Sequence, residues 1–225
     1  MGKKIISFSL WGNNPKYTIG AVKNAELAMQ YYPGWYCRYY IGQSVPSEIV
    51  RRLQNYQNVQ IKIMQELGDW NSMFWRFLAA GDNEVEVMIS RDTDSRLGQR
   101  EKDAVNNWLQ SNKSFHIMRD HPWHTSYILG GMWGVRGKKL KNMRQMINDY
   151  EKNNKYQVDQ SFLNEFIYPI VKDDACVHDE FFENRPFPTK RKKWEFVGEI
   201  FDENDCSCLE HEMLLEQELI KKEEQ

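Results

Sequence analysis

Two aspartates stand directly after an apolar run near the middle of the chain. Residues 84–97 read EVEVMISRDTDSRL, and this stretch places Asp92 and Asp94 two residues apart, between Arg91 and Arg96. If the triplet stays extended, both carboxylates lie on the same side of the backbone, because strand side chains alternate with a period of two. Such a pair either shares a proton or holds a cation, and its oxygens suit Mg²⁺ or Mn²⁺. The alternative is a polar turn in which the two arginines balance the charge.

The elements that position this pair alternate between strands and helices. Strands are predicted at 3–10, 35–42, 58–64, 84–90, 114–118, 128–137 and 174–178, and helices at 17–32, 46–56, 70–80, 99–111, 138–152 and 159–170, with Asp69 capping the third helix. This alternation predicts an α/β fold with one mostly parallel or mixed central sheet and helices on both faces. Ligands bind beyond the carboxyl ends of the strands in such sheets. The two aspartates follow the fourth strand and are therefore expected at that edge.

The composition excludes several classes of protein. A chain of 225 residues with 41% hydrophobic residues can form one large domain, and a formal charge of −2 argues against a general nucleic-acid-binding surface. No apolar run approaches the roughly 20 residues that span a bilayer. The first residues, MGKKIISFSLWG, predict a strand rather than a signal peptide. Four unevenly spaced cysteines are too few for a disulfide scaffold, so a cytoplasmic location is expected.

Four sequence features, in order between residues 70 and 180, resemble the GT-A glycosyltransferases that use nucleotide-diphosphate sugars. They are an arginine in SMFWRFLAAGDNEVEVMISRDTD, the D-x-D triplet that ends this stretch, an Asp-Gln pair in VDQSFLNEFIYP after the Gly-containing ILGGMWGVRG, and a histidine in DACVHDEFF. The closest pattern is that of the family 8 retaining enzymes, which include glycogenin-like and galactosyltransferase-like proteins, and of related viral and bacterial sugar transferases. The family often has LDADV where this chain has SRDTDSRL, and its first loop usually contains an acidic residue that SLWGNNPKY lacks.

The resemblance implies a divalent cation at the D-x-D triplet. Asp94 and His178 would hold Mn²⁺, or alternatively Mg²⁺, while Asp92 contacts the ion or the donor ribose. An imidazole ligand favours Mn²⁺ over the harder Mg²⁺. The ion would serve as a Lewis acid for the leaving nucleoside diphosphate. The alternative interpretation of His178 is a buried, hydrogen-bonded core histidine.

The donor side is predicted at the end of the first strand and at two cationic side chains. Arg76 matches the family's arginine and would grip the donor phosphates or sugar, because a guanidinium binds oxyanions in a bidentate manner. Lys190 lies in the most basic run of the chain and would close over the diphosphate. Leu10, Trp11 and Tyr17 would flank the nucleotide.

The Asp159–Gln160 pair is implied to face the reacting sugar. A glutamine is no base, but the carbonyl dipole of Gln160 would stabilise an oxocarbenium-like transition state, which favours retention of configuration. An inverting enzyme needs a carboxylate base, and Asp120 or Asp159 would serve. Asp159 also suits the ordinary role of a helix N-cap.

The acceptor side is predicted in the segment HPWHTSY and the strand that follows it. Sugar rings stack on aromatic faces, and histidines hydrogen-bond to hydroxyl groups. The acceptor-side residues are therefore expected to be His121, Trp123, His124 and Trp133.

Taken together, the residues and the resemblance predict a metal-dependent glycosyltransferase. It would move a sugar from a UDP-sugar, or alternatively a GDP-sugar, to a carbohydrate or other hydroxyl acceptor. One alternative is a nucleotidyltransferase, although the first loop contains a single glycine. Another is a catalytically silent subunit that binds nucleotide or glycan. The catalytic domain is expected at 1–205, followed by a charged helical tail at 206–225 whose CSCLEH segment is an exposed tail rather than a partial metal cluster.

Overall fold

Seven strands form one mixed sheet in the computed structural model, which describes residues 2–151 and 154–223. They are β1 (Lys3–Leu10), β2 (Tyr36–Ile41), β3 (Val59–Ile63), β4 (Val85–Ser90), β5 (Phe115–Arg119), β6 (Trp133–Arg136) and β7 (Ala175–Asp179). All seven coincide with predicted strands to within a few residues, except that the strand expected at 128–137 begins only at Trp133. The strands β1, β2, β4 and β5 are short and largely buried, as expected for a sheet covered on both faces, whereas the edge strand β3 is partly exposed.

The strand order places several chain segments at one edge of the sheet. The order is β3-β2-β1-β4-β6-β5-β7. β1 pairs in parallel with β2 and β4, and β5 pairs in parallel with β7, whereas β6 runs antiparallel to both of its neighbours. The six strands other than β6 therefore share one direction. Their carboxyl ends meet the amino end of β6, so the loops after β1, β4 and β5 converge with the segment before β6.

Helices cover both faces of this sheet. The α-helices are α1 (Pro15–Tyr31), α2 (Ser47–Gln54), α3 (Gln99–Gln110), α4 (Met143–Asp149), α5 (Val158–Phe162), α6 (Tyr168–Val171) and α7 (Leu209–Glu223). Trp70–Gly81 and Lys172–Asp174 are 3₁₀ helices, and Leu163–Ile167 is a π-helical turn between α5 and α6. None of the helices in the described ranges is long and apolar enough to cross a membrane.

Two predicted helices differ from the observed ones. The segment expected as an α-helix at 70–80 is helical but has 3₁₀ geometry, and Asp69 caps it by accepting a hydrogen bond from the backbone N–H of Asn71. The helix expected at 138–152 forms only at Met143–Asp149, and residue 152 lies outside the described residues. Residues 224–225 of the predicted tail also lie outside them.

The hydrophobic core consists of two layers, one on each face of the sheet. Neighbouring strand residues divide between them: Ile5 and Met88 face one layer, whereas Ile6 and Ile89 face the other. The first layer packs under the Trp70–Gly81 helix, α4 and α5, and the second under α1, α2 and α3. Burying a large apolar side chain contributes about 1.5–3 kcal/mol, so the two layers hold the strand ends in fixed positions.

Candidate active site

A cavity of about 620 Å³ opens at the edge of the sheet where these loops converge. It is lined by the end of β1 and the loop that follows, the D-x-D turn, the loop after β5, the segment before β6, and the first turns of α5 and α7. Eleven of the predicted site residues line it: Leu10, Trp11, Tyr17, Arg76, Asp92, Asp94, His121, Trp123, His124, Asp159 and Gln160. Chain segments far apart in sequence thus form one concave surface.

The D-x-D segment is a turn held by α1 rather than an extended strand end. Asn24, which is fully buried in α1, donates a side-chain hydrogen bond of 2.8 Å to the carbonyl of Ser95 and accepts one of 3.0 Å from the N–H of Leu97. Gly20 lets α1 approach closely, because a Cβ there would overlap the carbonyl oxygen of Thr93. The triplet is therefore not extended, but both carboxylates still line the cavity.

The cations beside the aspartates are not those flanking them in sequence. Arg91 is buried and pairs with Glu101 at 2.7 Å, while Arg96 pairs with Asp205 at 2.8 Å. Asp94 instead contacts Lys16, with 2.9 Å between Nζ and Oδ2. Burial and the neighbouring carboxylate of Asp92 raise the pKa of Asp94. Lys16 was missed in the sequence because nothing local marks the second residue of a helix as a partner of a distant turn.

Arg76 links the two halves of the site. Its side chain is nearly fully buried, and it pairs with Asp92 through Nη1 and with Asp159 through Nη2, at 2.7 Å in the second case. Burial alone lowers the pKa of Arg76, but Asp92 and Asp159 raise it above its ordinary value, so the guanidinium remains charged. The backbone N–H of Arg76 donates to Ser9 Oγ at 3.0 Å, which fixes the helix against the end of β1.

Two adjacent glycines before β6 make room for this network. A Cβ at Gly131 would overlap the carboxylate of Asp92, and a Cβ at Gly130 would overlap the guanidinium of Arg76. These residues therefore form a cradle that only glycine permits. The segment ILGGMWGVRG is predicted as a strand, but Gly130 and Gly131 lie in the loop that precedes β6.

The Asp159–Gln160 pair stands at the start of α5, opposite the D-x-D turn. Gln160 Oε1 accepts a hydrogen bond of 3.1 Å from the N–H of Gly130, and its amide nitrogen donates to the carbonyl of Ile128. Burial raises the pKa of Asp159, and its contact with Arg76 opposes that rise. The amide of Gln160 is therefore oriented by the backbone, while Asp159 is held by a cation.

Aromatic side chains form the wall around the end of β1. Trp11 lies edge-on to Trp70, with ring centroids 6.5 Å apart, and Trp70 lies edge-on to Tyr156 at 5.2 Å. Gly68, at φ +111°, leaves room for the side chain of Trp11, because a Cβ at this position would overlap the indole. Tyr17 is partly exposed at the same wall. Trp70 and Tyr156 were not predicted, since exposed aromatics carry no sequence signal that distinguishes them from core aromatics.

His178 does not belong to this site. It lies on β7, where its Nδ1 is 2.8 Å from His116 Nε2 and its Nε2 is 3.2 Å from Asn107 Oδ1. β7 is three strand spacings from β4, or about 14 Å, which is too far for a metal ion shared with Asp94. Burial lowers the pKa of His178 to about 4. The prediction of a metal ligand at this position is wrong, and the alternative of a buried core histidine is observed.

Three other predicted residues also lie outside the cavity. Trp133 is fully buried in the core against Phe77, so it is no acceptor-side residue. Lys190 is exposed to solvent and does not line the cavity. Asp120 is fully buried and pairs with Arg100 and Arg191, which excludes it as a base. In each case long-range packing, invisible in the sequence, determines the position.

The histidine that does line the cavity from the C-terminal part of the chain is His211, in the first turn of α7. The segment expected as an exposed tail is thus part of the cavity wall. The residues just before this segment are attached to the D-x-D turn by a backbone hydrogen bond of 2.8 Å from Phe201 N to Asp94 O. Asp205 also pairs with Lys23 of α1 and with Arg96, which follows the turn.

The described residues fit a divalent cation in part. They contain no group of three histidine, cysteine or acidic side chains already arranged around a metal position. However, the carboxylates of Asp92 and Asp94 line the same cavity, and burial together with the charge of Asp92 raises the pKa of Asp94, an effect that a bound cation would oppose. Carboxylate oxygens suit Mn²⁺ or Mg²⁺.

Comparison with known proteins identifies the fold. No family model and no curated protein matches the sequence. Among solved structures, a glycosyltransferase involved in the glycosylation of the major capsid of PBCV-1 is 20% identical, with a TM-score of 0.52 over 80% of this chain and 83% of that chain. The 4-diphosphocytidyl-2C-methyl-D-erythritol synthase from Anaerococcus prevotii is 12% identical, with a TM-score of 0.52 over 84% and 94%.

A third solved structure is glucosyl-3-phosphoglycerate synthase from Mycobacterium tuberculosis, in complex with Mn²⁺, UDP and glucosyl-3-phosphoglycerate. It is 10% identical, with a TM-score of 0.52 over 85% of this chain and 72% of that chain. Identities this low establish the fold alone. The seven-stranded sheet with its cavity at the carboxyl edge has the GT-A fold of nucleotide-diphospho-sugar transferases.

Proposed function

We propose that this protein is a metal-dependent glycosyltransferase that moves a sugar from a nucleotide-diphosphate sugar to a hydroxyl acceptor. One observation carries the proposal. Arg76 joins Asp92 of the D-x-D turn to Asp159 of the Asp-Gln pair inside one cavity at the carboxyl edge of a GT-A sheet. Three of the four features on which the family 8 resemblance rests therefore meet in space, and that resemblance is part of the proposal.

The cation would be held by the carboxylates of Asp92 and Asp94, which line the cavity together. A bound Mn²⁺ or Mg²⁺ supplies charge stabilisation for the departing nucleoside diphosphate. The mycobacterial neighbour, solved with Mn²⁺ and UDP, supports Mn²⁺ and a uridine nucleotide. Within this chain, Lys16 neutralises Asp94 when no cation is bound.

The donor would lie along the wall formed by the end of β1. Trp11 and Tyr17 offer aromatic faces for a nucleotide base, which stacks favourably on such rings. Arg76 and Lys16 are the cationic groups nearest the aspartates, and they are the candidates for contact with the diphosphate in place of Lys190. A guanidinium suits this task because its paired N–H groups match phosphate oxygens.

Retention of configuration is the outcome that the side chains favour. An inverting transfer needs a free carboxylate to take the acceptor proton. Asp159 is tied to Arg76, and Asp120 is buried in ion pairs away from the cavity. Gln160, by contrast, has its amide oriented by two backbone contacts, so its carbonyl dipole can stabilise positive charge on the sugar.

A nucleotidyltransferase is the second candidate, because the Anaerococcus synthase shares the fold at a comparable TM-score. The two activities release different products. A glycosyltransferase releases a nucleoside diphosphate, whereas a nucleotidyltransferase releases pyrophosphate. The loop after β1 presents Trp11 and a single glycine to the cavity, which disfavours the second chemistry.

The direct test is a panel of UDP- and GDP-sugars incubated with Mn²⁺, with and without acceptors. We expect release of a nucleoside diphosphate from at least one donor. Asp94→Asn and Arg76→Lys should each lower kcat/KM by about 100-fold or more. The first removes a carboxylate that would hold the cation, and the second keeps the positive charge but loses the paired N–H groups that match phosphate oxygens. Asp149→Asn, on the exposed face of α4, is the matched control and should retain full activity. Pyrophosphate as the product, or full activity in both site variants, contradicts the proposal.

A further inference from the structure

The cavity has a second wall, opposite the aromatic residues at the end of β1. Trp123 is 48% exposed, and its ring centroid lies 4.8 Å from that of His211 at an interplanar angle of 85°. His121 fixes this arrangement, since its Nδ1 accepts from the N–H of Trp123 at 3.1 Å and its Nε2 lies 3.0 Å from the carbonyl of His211. The indole is therefore a fixed, solvent-facing platform built jointly by the loop after β5 and by α7.

The histidines of this wall carry no positive charge near neutral pH. Burial lowers the pKa of His124 to about 3 and also lowers the pKa values of His121 and His211. His124 Nδ1 accepts from the N–H of Asp120 at 3.0 Å, which leaves its Nε2–H as a donor. The wall thus offers neutral hydrogen-bonding groups beside an aromatic face.

The charged residues that line the cavity, within the described ranges, are three aspartates and one arginine. Arg76 is shared between two of the aspartates, and Lys16 is paired with the third. The cations behind the second wall are occupied as well: Arg191 pairs with Asp120 at 2.6 Å and Arg119 with Asp179 at 2.6 Å. A divalent cation and a donor diphosphate would bring opposite charges of similar size, so the excess of carboxylate would persist in the loaded enzyme.

We propose that the acceptor is a neutral carbohydrate, with a sugar ring stacked on Trp123 and its hydroxyls bound by His124 and His211, and that anionic acceptors are rejected. This inference rests on the proposed function. An apolar sugar face against an indole needs no charge, and neutral imidazoles both donate to and accept from hydroxyl groups. A phosphate or carboxylate at the same place would share the cavity with an excess of carboxylates, and no described residue that lines the cavity offers it an unpaired lysine or arginine, so like charges would repel.

The test uses matched acceptor pairs: neutral methyl glycosides against the same sugars carrying a 6-phosphate or a 6-carboxylate. With the donor that the enzyme hydrolyses, we expect kcat/KM for each neutral acceptor to exceed that for its anionic partner about tenfold or more. Equal or preferred use of the anionic partners overturns the inference. Donor hydrolysis without acceptor is measured in parallel, because its absence with every donor overturns the proposed function instead.

Trp123→Ala separates the platform from a general structural role. We expect the KM for the acceptor to rise about tenfold while the KM for the donor stays near the wild-type value, and Trp123→Phe to restore part of the acceptor affinity. Tyr127→Ala is the control, since Tyr127 is also an exposed aromatic but stacks on Tyr168 outside the cavity. An unchanged acceptor KM in Trp123→Ala, or an equal rise in both KM values, contradicts the assignment.

Discussion

At the scale of single residues, the site is a chain of alternating charges in which each cation has a defined partner. Lys16 contacts Asp94, and Arg76 joins Asp92 to Asp159. The Arg76–Asp159 pair is buried, and breaking a buried pair leaves an uncompensated charge. Cation binding at the two D-x-D carboxylates therefore competes with the protein's own cations.

Lys16→Met is expected to strengthen Mn²⁺ binding in the absence of donor. Removing the ammonium that lies 2.9 Å from Asp94 Oδ2 frees this carboxylate and removes a repulsive charge. Because the pair is partly exposed, we expect the Kd for Mn²⁺ to fall about three- to tenfold. Electron paramagnetic resonance of free Mn²⁺ measures this directly.

Lys23→Met is the matched control, since Lys23 is on the same helix but pairs with Asp205. Its Kd for Mn²⁺ should equal that of the wild type. If Lys16→Met binds Mn²⁺ with an unchanged or a larger Kd, the lysine does not compete with the cation.

At the scale of elements, the site depends on how closely a few backbone segments approach one another. The segment before β6 is the clearest case, because Gly130 and Gly131 lie directly against Arg76 and Asp92. β6 is also the strand that runs against the others, so its amino end delivers these glycines to the edge where the other strands end.

Gly131→Ala is expected to displace Asp92, because the added methyl group overlaps its carboxylate, on which the charge network depends. We expect activity to fall about 100-fold or more and the melting temperature to change less. Steady-state kinetics and a melting curve separate the two effects. Gly98→Ala is the control, since its Cβ would lie 3.8 Å from Glu195 Oε1, an ordinary contact, and it should keep nearly full activity. Full activity in Gly131→Ala contradicts the cradle.

The fold was predictable from the sequence because it depends on local patterns. Apolar runs such as Lys3–Leu10 and Val85–Ser90 define strands by period and length, and their alternation with helices implies the sheet. The residues attached directly to strand ends, such as Asp92 and Asp94, were located for the same reason. The 3₁₀ geometry of Trp70–Gly81 was not predictable, because 3₁₀ runs longer than three or four residues are uncommon and a helical pattern of twelve residues normally indicates an α-helix.

The partners across the cavity were not predictable, because they depend on contacts between distant segments. His178 was assigned by its place after a strand, yet that strand lies at the far end of the sheet, and His211 lines the cavity instead. Lys190 and Trp133 show the same limit: a basic loop and an aromatic strand residue have no sequence feature that tells a cavity from solvent or core.

At the scale of the whole molecule, the C-terminal segment packs over the edge of the sheet where the cavity lies. Phe201 bonds to the D-x-D turn, Val197 packs in a buried cluster with Phe187, and α7 completes the cavity wall. Glu199 lies within this segment and is buried without a cationic partner at hydrogen-bonding distance among the described residues. Stability of this closure should therefore depend on pH.

Burial raises the pKa of Glu199 from 4.5 to about 7, and Glu212 adds to the rise. Because the folded state then binds this proton more tightly than the unfolded state, stability falls as the pH rises from about 4.5 to about 7. Glu199→Gln removes that loss, so we expect the variant to gain about 1–2 kcal/mol over the wild type at pH 8 and nearly nothing at pH 4.5, after allowance for partial solvation. Urea denaturation at both pH values measures the difference, and Glu66→Gln, at an exposed position, should show none. If Glu199→Gln gains the same stability at both pH values, the amide acts through packing. The carboxyl group of Glu199 then does not titrate between pH 4.5 and pH 8.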